Sequence, residues 1–118
     1  SGLAILNKYN QFSLHKVFFM TEILNRSNQG DKLAQKCIKE FKMYICDAIY
    51  NLSMILDIDT FIIGGGICDI GMELFSEIEL KVNAKLHYFM RNITILQANL
   101  KEYSGVQGAL WVLKSFLR

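Results

Sequence analysis

The 118-residue sequence contains no proline and only three cysteines. No cysteine belongs to a CxxC pair and neither histidine has a cysteine at ligand spacing, so we expect no metal site in this chain. Cys37 and Cys46 lie on one predicted helix, about 13 Å apart and on opposite faces. They cannot form a disulfide without breaking that helix. Cysteines that stay reduced are typical of a cytoplasmic protein.

Long hydrophobic runs and runs of basic residues are also absent. No apolar stretch approaches the roughly 18 residues of a membrane-spanning helix, and we therefore expect no membrane contact. The formal net charge is only +2. The densest basic patch, residues 32–42, is spread around a helix and mixed with acidic residues. It indicates a solvated face, so we expect no direct nucleic-acid contact by this chain.

Three helices are predicted before the first strand. The chain opens in a helix-like pattern, and a second helix is predicted from Ser13, as its N-cap, to about Ser27. Phe12 would pack on Val17 at the start of this helix. Asp31 can cap a long third helix. The apolar residues of that helix recur at three- and four-residue steps and predict one continuous stripe: Ala34, Cys37, Ile38, Phe41, Ile45, Ala48, Ile49, Leu52, Ile55 and Leu56.

An apolar run at residues 60–63 stops abruptly at three glycines, residues 64–66. This pattern predicts a buried strand that ends in a glycine loop. A helix, a second short strand at residues 93–96 and a last helix from Tyr103 follow. Two strands separated by one helix predict a parallel, right-handed βαβ crossover, and hence an α/β fold.

The glycine loop has two interpretations. Glycine lets a backbone approach a ligand closely, and the next helix N-terminus offers N–H groups to anions, which favours a binding site. A tight strand-to-helix connection without a ligand explains the same residues. Cys68 is either a reactive thiolate or, as we favour, a small residue in a turn. Asp57, Asp59 and Asp69 bracket the loop, and we interpret them as structural, with Asp69 as a helix cap.

Two short strands make a poor sheet by themselves. We expect either a dimer or a piece of a larger domain, and the start of the chain within a helical pattern favours the piece. Two aromatic-rich triplets, residues 18–20 and 88–90, suit either a subunit surface or the core. The core is the interpretation we favour.

Short motifs that together are typical of one protein family occur along the whole chain: Ser1-Gly2, Gly30-Asp31, Asn51-Leu52, Asp57, Ile63-Gly64-Gly65-Gly66 and Gly105-Val106-Gln107-Gly108-Ala109. Together they resemble the C-terminal portion of the ROK family, the bacterial repressors, open reading frames and sugar kinases of the actin-like ATPase superfamily. The chain departs from the family pattern at Ile58, which is usually proline, and at Ser104, which is usually alanine.

The resemblance implies the helix-rich C-terminal part of an actin-like ATPase (ribonuclease H-like) domain, with a βαβ parallel strand pair flanked by helices. Residues 1–118 would be a single C-terminal fragment that lacks the N-terminal nucleotide and sugar lobe and the family's zinc motif. The resemblance therefore assigns no catalytic residue and no metal ligand to this chain. Gly64, Gly65, Gly66 and Ile67 would line the nucleotide cleft of the parent protein, which binds ATP with Mg²⁺.

The function implied is that of a sugar kinase that phosphorylates a hexose or amino sugar with ATP. This chain would supply the glycine loop and would be inactive alone. The alternative is the sugar-sensing and oligomerisation part of a ROK transcriptional regulator. Either interpretation implies that the parent protein, and not this chain alone, binds the sugar and the nucleotide. It also implies that the protein is a homo-oligomer.

Overall fold

A computed structural model describes residues 2–64 and 71–98 of the chain. In chain order, its elements are α1 (Gly2–Phe12), α2 (Met20–Asn28), α3 (Lys32–Leu56), β1 (Thr60–Ile63), α4 (Met72–Leu86), a 3₁₀ turn (His87–Phe89) and β2 (Thr94–Gln97). The described part is thus helix-rich with a small parallel sheet. The predicted last helix from Tyr103 lies outside the described residues.

The long helix α3 begins where the sequence predicts. The Asp31 carboxylate accepts hydrogen bonds from the backbone N–H groups of Leu33, at 3.0 Å, and Ala34, at 3.2 Å. Just before it, Gly30 has a φ of 98°, a left-handed conformation that glycine adopts without strain. The stop after α2 and the Asp31 cap are therefore both confirmed.

The predicted start of the second helix is wrong. Helix α1 continues to Phe12, the next residues form a connection, and α2 begins only at Met20. The Ser13 hydroxyl accepts a hydrogen bond from the His15 N–H in a local turn and caps no helix. Val17 is buried, whereas Phe12 is largely exposed and is the last residue of α1, so the two residues do not flank the start of a helix as predicted.

The predicted stripe on α3 is confirmed over its first half and wrong at its end. The four stripe residues from position 34 to 41 are all buried: Ala34, Cys37, Ile38 and Phe41. Leu52, Ile55 and Leu56 are exposed, whereas Cys46 and Ser53 are buried instead. The helix contacts α1 and α2 early and α4 later, so its buried face changes along its length. A single periodic stripe cannot represent two successive partners.

The two strands pair in parallel, as predicted, with Thr60 opposite Thr94 and Ile62 opposite Leu96. Side chains alternate between the faces of a strand. Helix α4 carries the predicted apolar face, in which Leu74, Phe75, Ile78 and Val82 are all buried. Ile95 is buried on the same side of the sheet, whereas Ile62 and Leu96 on the other side are exposed.

Side chains of α4 occupy the outer edge of β2. Asn83 accepts a hydrogen bond from the Ile93 N–H at 2.7 Å and donates one to the Ile93 carbonyl at 3.0 Å. Glu79 accepts from the Ile95 N–H at 2.9 Å. These bonds use backbone groups that would otherwise be open to another strand. In β1, the N–H groups of Thr60 and Ile62 point away from β2, and no described side chain bonds them.

Two further predictions need correction. The triplets at residues 18–20 and 88–90 are not core: only Met20 is buried, and the other five side chains are exposed. Helix α4 begins at Met72 after Gly71, two residues later than a cap at Asp69 requires. Asp69 itself, like Cys68, lies outside the described residues.

Candidate functional site

The carboxyl ends of β1 and β2 meet at one edge of the sheet. Strand β1 ends at Ile63, and the Ala98 N–H donates to the Ile63 carbonyl at 2.9 Å, which holds the two chain segments together just beyond the strands. Gly64 follows directly and is exposed. In open α/β sheets, ligands bind in the crevice outside the carboxyl ends of parallel strands. The first glycine of the predicted loop lies at this position.

The other three predicted cofactor-binding residues, Gly65, Gly66 and Ile67, lie outside the described residues. The chain is described again from Gly71, whose φ of 103° and ψ of 160° suit glycine alone. An added Cβ there would meet no atom of the described residues within 4 Å, and the backbone conformation by itself requires glycine.

The described residues at this edge offer backbone groups and few charges. Residues 61–64, 71–73 and 94–98 include no lysine, arginine or histidine. The one charged residue among them, Glu73, lies exposed in the first turn of α4, where a carboxylate is favoured by the helix dipole. This edge can therefore form a wall against a neutral part of a ligand. It does not, by its described residues, neutralise a phosphate.

Sequence reasoning missed the contribution of the second strand. Gln97 ends β2, and Ala98 bonds to β1 beside the glycine. The signal was available, because parallel strands place their carboxyl ends at the same edge of a sheet. Residues 97 and 98 belong to the candidate site for that reason.

Two of the three bracketing aspartates lie at the opposite end of the strands and have structural roles, as predicted. Asp57 ends α3 in a left-handed conformation with φ of 55°, and its carboxylate accepts from the Arg91 guanidinium at 2.5 Å. The Asp59 carbonyl accepts from the Thr94 N–H at 2.8 Å, and its carboxylate accepts from the Thr60 hydroxyl at 3.1 Å. Within the described ranges, no group of three or more His, Cys, Asp or Glu residues could hold a metal ion.

A separate hollow of about 330 Å³ lies between α3 and α4, lined by Lys42, Met43, Cys46, Asp47, Lys81, Ala84 and Lys85. Its lysines are paired with carboxylates: Lys42 and Lys81 with Glu77, at 2.7 and 3.2 Å, and Lys85 with Asp47, at 3.2 Å. The pairing leaves little net charge to attract an anion. We therefore place the candidate site at the strand ends and not in this hollow.

The buried thiols are poorly suited to nucleophilic chemistry. Burial raises the pKa of Cys37 and of Cys46 above the ordinary value of a thiol, which favours the unreactive protonated form. Cys37 lies near Lys8 and Glu40, between α1 and α3, whereas Cys46 faces α4. The expectation that the two cysteines occupy opposite faces is thus confirmed.

The sequence matches the ROK family over residues 1–115. This match covers almost the whole chain, and the protein belongs to the ROK family. Among curated proteins, none matches the sequence. Membership agrees with the resemblance seen in the motifs and places the chain in a family of sugar kinases and regulators. Within residues 2–64 and 71–98, no helix is both long and apolar enough to cross a membrane.

Proposed function

We propose that this chain forms the nucleotide-side wall of an ATP-dependent sugar kinase that phosphorylates a hexose or amino sugar. The observation that supports it is the position of Gly64, exposed at the carboxyl end of β1 and next to the Ile63–Ala98 hydrogen bond. A residue without a Cβ at this crevice leaves room for a flat ligand to lie against the backbone. Gly65, Gly66 and Ile67 continue this wall in the sequence.

An intact triple glycine favours a kinase over a sugar-responsive regulator. Sensing a sugar does not require ATP, whereas phosphoryl transfer depends on holding the nucleotide in position and neutralising its charge. The absence of basic residues among residues 61–64, 71–73 and 94–98 fits a division of roles. This wall would position the adenosine part of ATP, and Mg²⁺, held mainly by the phosphates and by groups outside this chain, would neutralise charge.

The small parallel sheet supports the proposed actin-like ATPase fold. Parallel sheets are normally buried on both faces and have several strands. In this chain the face with Ile62 and Leu96 is exposed among the described residues, and the outward backbone groups of β1 are bonded by no described side chain. We infer that residues 1–118 are the C-terminal part of a larger domain. They contain no residue to which we assign a catalytic or zinc-binding role.

The experiment measures ATP-dependent phosphorylation of hexoses and N-acetyl amino sugars. The enzyme used is the full-length parent protein to which we propose this chain belongs. We expect turnover with one of these sugars. Replacing Gly64 with valine should raise KM for ATP by about tenfold or more, since the new side chain fills the space beside the nucleotide. Ala48→Val is the matched control, because it introduces the same side chain at an exposed position within α3.

Three outcomes would contradict parts of the proposal. Sugar binding without turnover across the panel would favour a cytoplasmic, sugar-responsive regulator of the same family. An unchanged KM for ATP in Gly64→Val would remove the glycine wall from the nucleotide site. Release of ADP from ATP and glucose by the 118 residues alone would show that this chain carries catalytic groups we do not assign to it.

A further inference from the structure

Gln97 is the last residue of β2 and lies at the carboxyl edge of the sheet, beside the start of the glycine loop. Its Cα is in register with that of Ile63, so Gln97 lies one strand spacing, about 4.8 Å, from the residue that precedes Gly64. The next residue, Ala98, donates its N–H to the Ile63 carbonyl at 2.9 Å. These pairings fix the backbone of Gln97 next to the proposed nucleotide wall.

The side chain of Gln97 lies on the face of the sheet that α4 covers. Side chains alternate along a strand, so Gln97 shares a face with Ile95, which is buried. Helix α4 runs back along β2, because Asn83 bonds to Ile93 and Glu79, one turn earlier in the helix, bonds to Ile95. The same progression brings Gln97 beside the beginning of α4. Gln97 is half-buried there, between the two elements that the glycine loop connects.

Gln97 is also distinguished by its polarity. In the ranges 61–64, 71–73 and 94–98, the other polar side chains are those of Glu73 and Thr94. Glu73 is an exposed carboxylate, and Thr94 lies at the amino end of β2, away from this edge. Among these described residues, Gln97 is therefore the one neutral side chain at the carboxyl edge that can both donate and accept a hydrogen bond. A few polar groups of this kind fix the orientation of a ligand in a pocket.

The amide of a glutamine is complementary to one edge of adenine. Its NH₂ group donates to the ring nitrogen N7 while its carbonyl accepts from the 6-amino group, a pairing that glutamine makes with adenine in nucleic-acid complexes. A 6-oxopurine such as guanine or hypoxanthine presents two acceptors at these positions. The amide carbonyl then faces another acceptor, and one of the two hydrogen bonds is lost. A glutamine placed against a purine in this way distinguishes adenine from a 6-oxopurine.

We propose that Gln97 sets the base specificity of the nucleotide site, with its amide paired to N7 and to the 6-amino group of adenine. This inference rests on the proposed function, because it takes the ligand at this edge to be ATP. The glycine loop cannot supply such specificity, since a backbone without side chains leaves room for any flat base. The exposed carboxylate of Glu73 would repel phosphates and so also favours the base at this edge.

The test is calorimetric binding of ADP and of IDP, whose base is the 6-oxopurine hypoxanthine, to the full-length parent protein. We expect the wild type to bind ADP about tenfold more tightly than IDP or better, since a bidentate pair gives discrimination of this order. Gln97→Leu keeps a side chain of similar size and removes both hydrogen-bonding groups. It should weaken ADP binding by about tenfold and bring the two dissociation constants to within about threefold of each other.

A second variant, Gln97→Glu, keeps the side chain polar. Its carboxylate can accept from the 6-amino group but cannot donate to N7, so ADP binding should again weaken. The matched control is Gln11→Leu, the same substitution as in the first variant at an exposed position of α1. It should leave the dissociation constants of ADP and IDP unchanged.

The outcomes separate this inference from the proposed function. Equal affinity of the wild type for ADP and IDP, or a preference for ADP that survives Gln97→Leu, would overturn the role of Gln97 while the kinase proposal stands. Unchanged ADP binding in Gln97→Glu would overturn it as well. If Gln97→Leu removes the preference but no sugar is phosphorylated, the base contact stands and the kinase proposal fails. If neither nucleotide binds, both proposals fail.

Discussion

The phenol of Tyr9 donates a hydrogen bond to the carboxylate of Asp31 across 2.6 Å and so joins α1 to the N-cap residue of α3. The same phenol oxygen accepts from the Arg26 guanidinium of α2 at 3.0 Å. Tyr9 is completely buried, so its hydroxyl has no access to bulk water. One side chain therefore connects the first three helices.

Replacing Tyr9 with phenylalanine should lower the free energy of unfolding by about 1–2 kcal/mol. The substitution preserves the ring and removes a hydrogen bond to a charged group. Urea denaturation followed by circular dichroism measures the change. Tyr44→Phe is the control, since Tyr44 is exposed on α3 and should change stability by less than about 0.5 kcal/mol. Equal effects of the two substitutions would contradict a special role for Tyr9.

Stability should fall in acid partly because of Asp31. The hydrogen bond from Tyr9, and then those from the backbone N–H groups of Ala34 and Leu33, lower the pKa of Asp31 below its ordinary value of 3.8. A carboxyl with a lowered folded-state pKa contributes stability above its unfolded pKa and loses it as pH falls through the folded pKa. The loss should therefore begin below about pH 4.

The variant Asp31→Asn isolates that charge, because asparagine is a comparable N-cap. We expect it to be less stable than the wild type at pH 7 and to show a flatter loss of stability between about pH 4 and pH 2. Urea denaturation at several pH values tests this. Acid slopes that coincide in the two proteins would show that Glu40 and Glu77, whose pKa values are lowered by Lys8 and Lys42, dominate instead.

Replacing Asn83 with alanine should cost about 1–3 kcal/mol, because it leaves the partly buried N–H and carbonyl of Ile93 without their partner. Asn83→Asp should lower stability less than Asn83→Ala does, because a carboxylate can still accept from the Ile93 N–H. It cannot donate to the Ile93 carbonyl, so that hydrogen bond should be lost. Thermal unfolding ranks the two variants. Hydrogen exchange at the Ile93 amide should accelerate in Asn83→Ala, and an unchanged exchange rate would contradict the assigned bond.

Replacing Phe19 with serine should stabilise α2 by about 1 kcal/mol. Phe19 is the N-cap residue, has extended backbone angles of −131° and 147°, and makes no side-chain capping bond. Serine is among the preferred N-caps, and Glu22 three positions later completes a capping box. Urea denaturation followed by circular dichroism measures the gain. A lower stability would mean that the Phe19 ring contributes packing despite its exposure.

Replacing Ser53 with alanine should stabilise the chain by up to about 1 kcal/mol. Ser53 is fully buried in α3, and its hydroxyl has no hydrogen-bond partner in the described part of the chain. A buried hydroxyl without a partner retains the cost of losing water. Denaturation of Ser53→Ala measures this, with exposed Ser76→Ala as the control. A clear loss of stability would reveal a partner for the hydroxyl.

Local signals in the sequence were sufficient for much of this fold. The Asp31 cap, the two strands and the apolar face of α4 depend on neighbours within a few positions, so the periodicity of the residues indicates them. The placement of Gly64 at the carboxyl end of β1 is also local, because it follows directly from the end of the apolar run.

The errors arose where distant residues decide. The connection before α2 is fixed by Asn10 and Arg26, which bond to Val17 and His15 over 7 and 11 positions. No periodic pattern shows such bonds, so Ser13 looked like a helix cap. Hydrophobicity alone predicts that the exposed aromatic residues belong to the core, because it does not show which apolar side chains stay at the surface. The remaining loop residues, Gly65 to Ile67, stay predictions.

Because Asn83 and Glu79 already occupy one side of the sheet, further strands have a single side on which to add. Fibril growth requires that every added unit present a fresh open side to the next. Two copies of this sheet could pair only through their β1 edges, and the resulting dimer would have no open edge for a third copy. Asn83 and Glu79 on α4 should therefore limit edge-to-edge aggregation of this sheet to two copies.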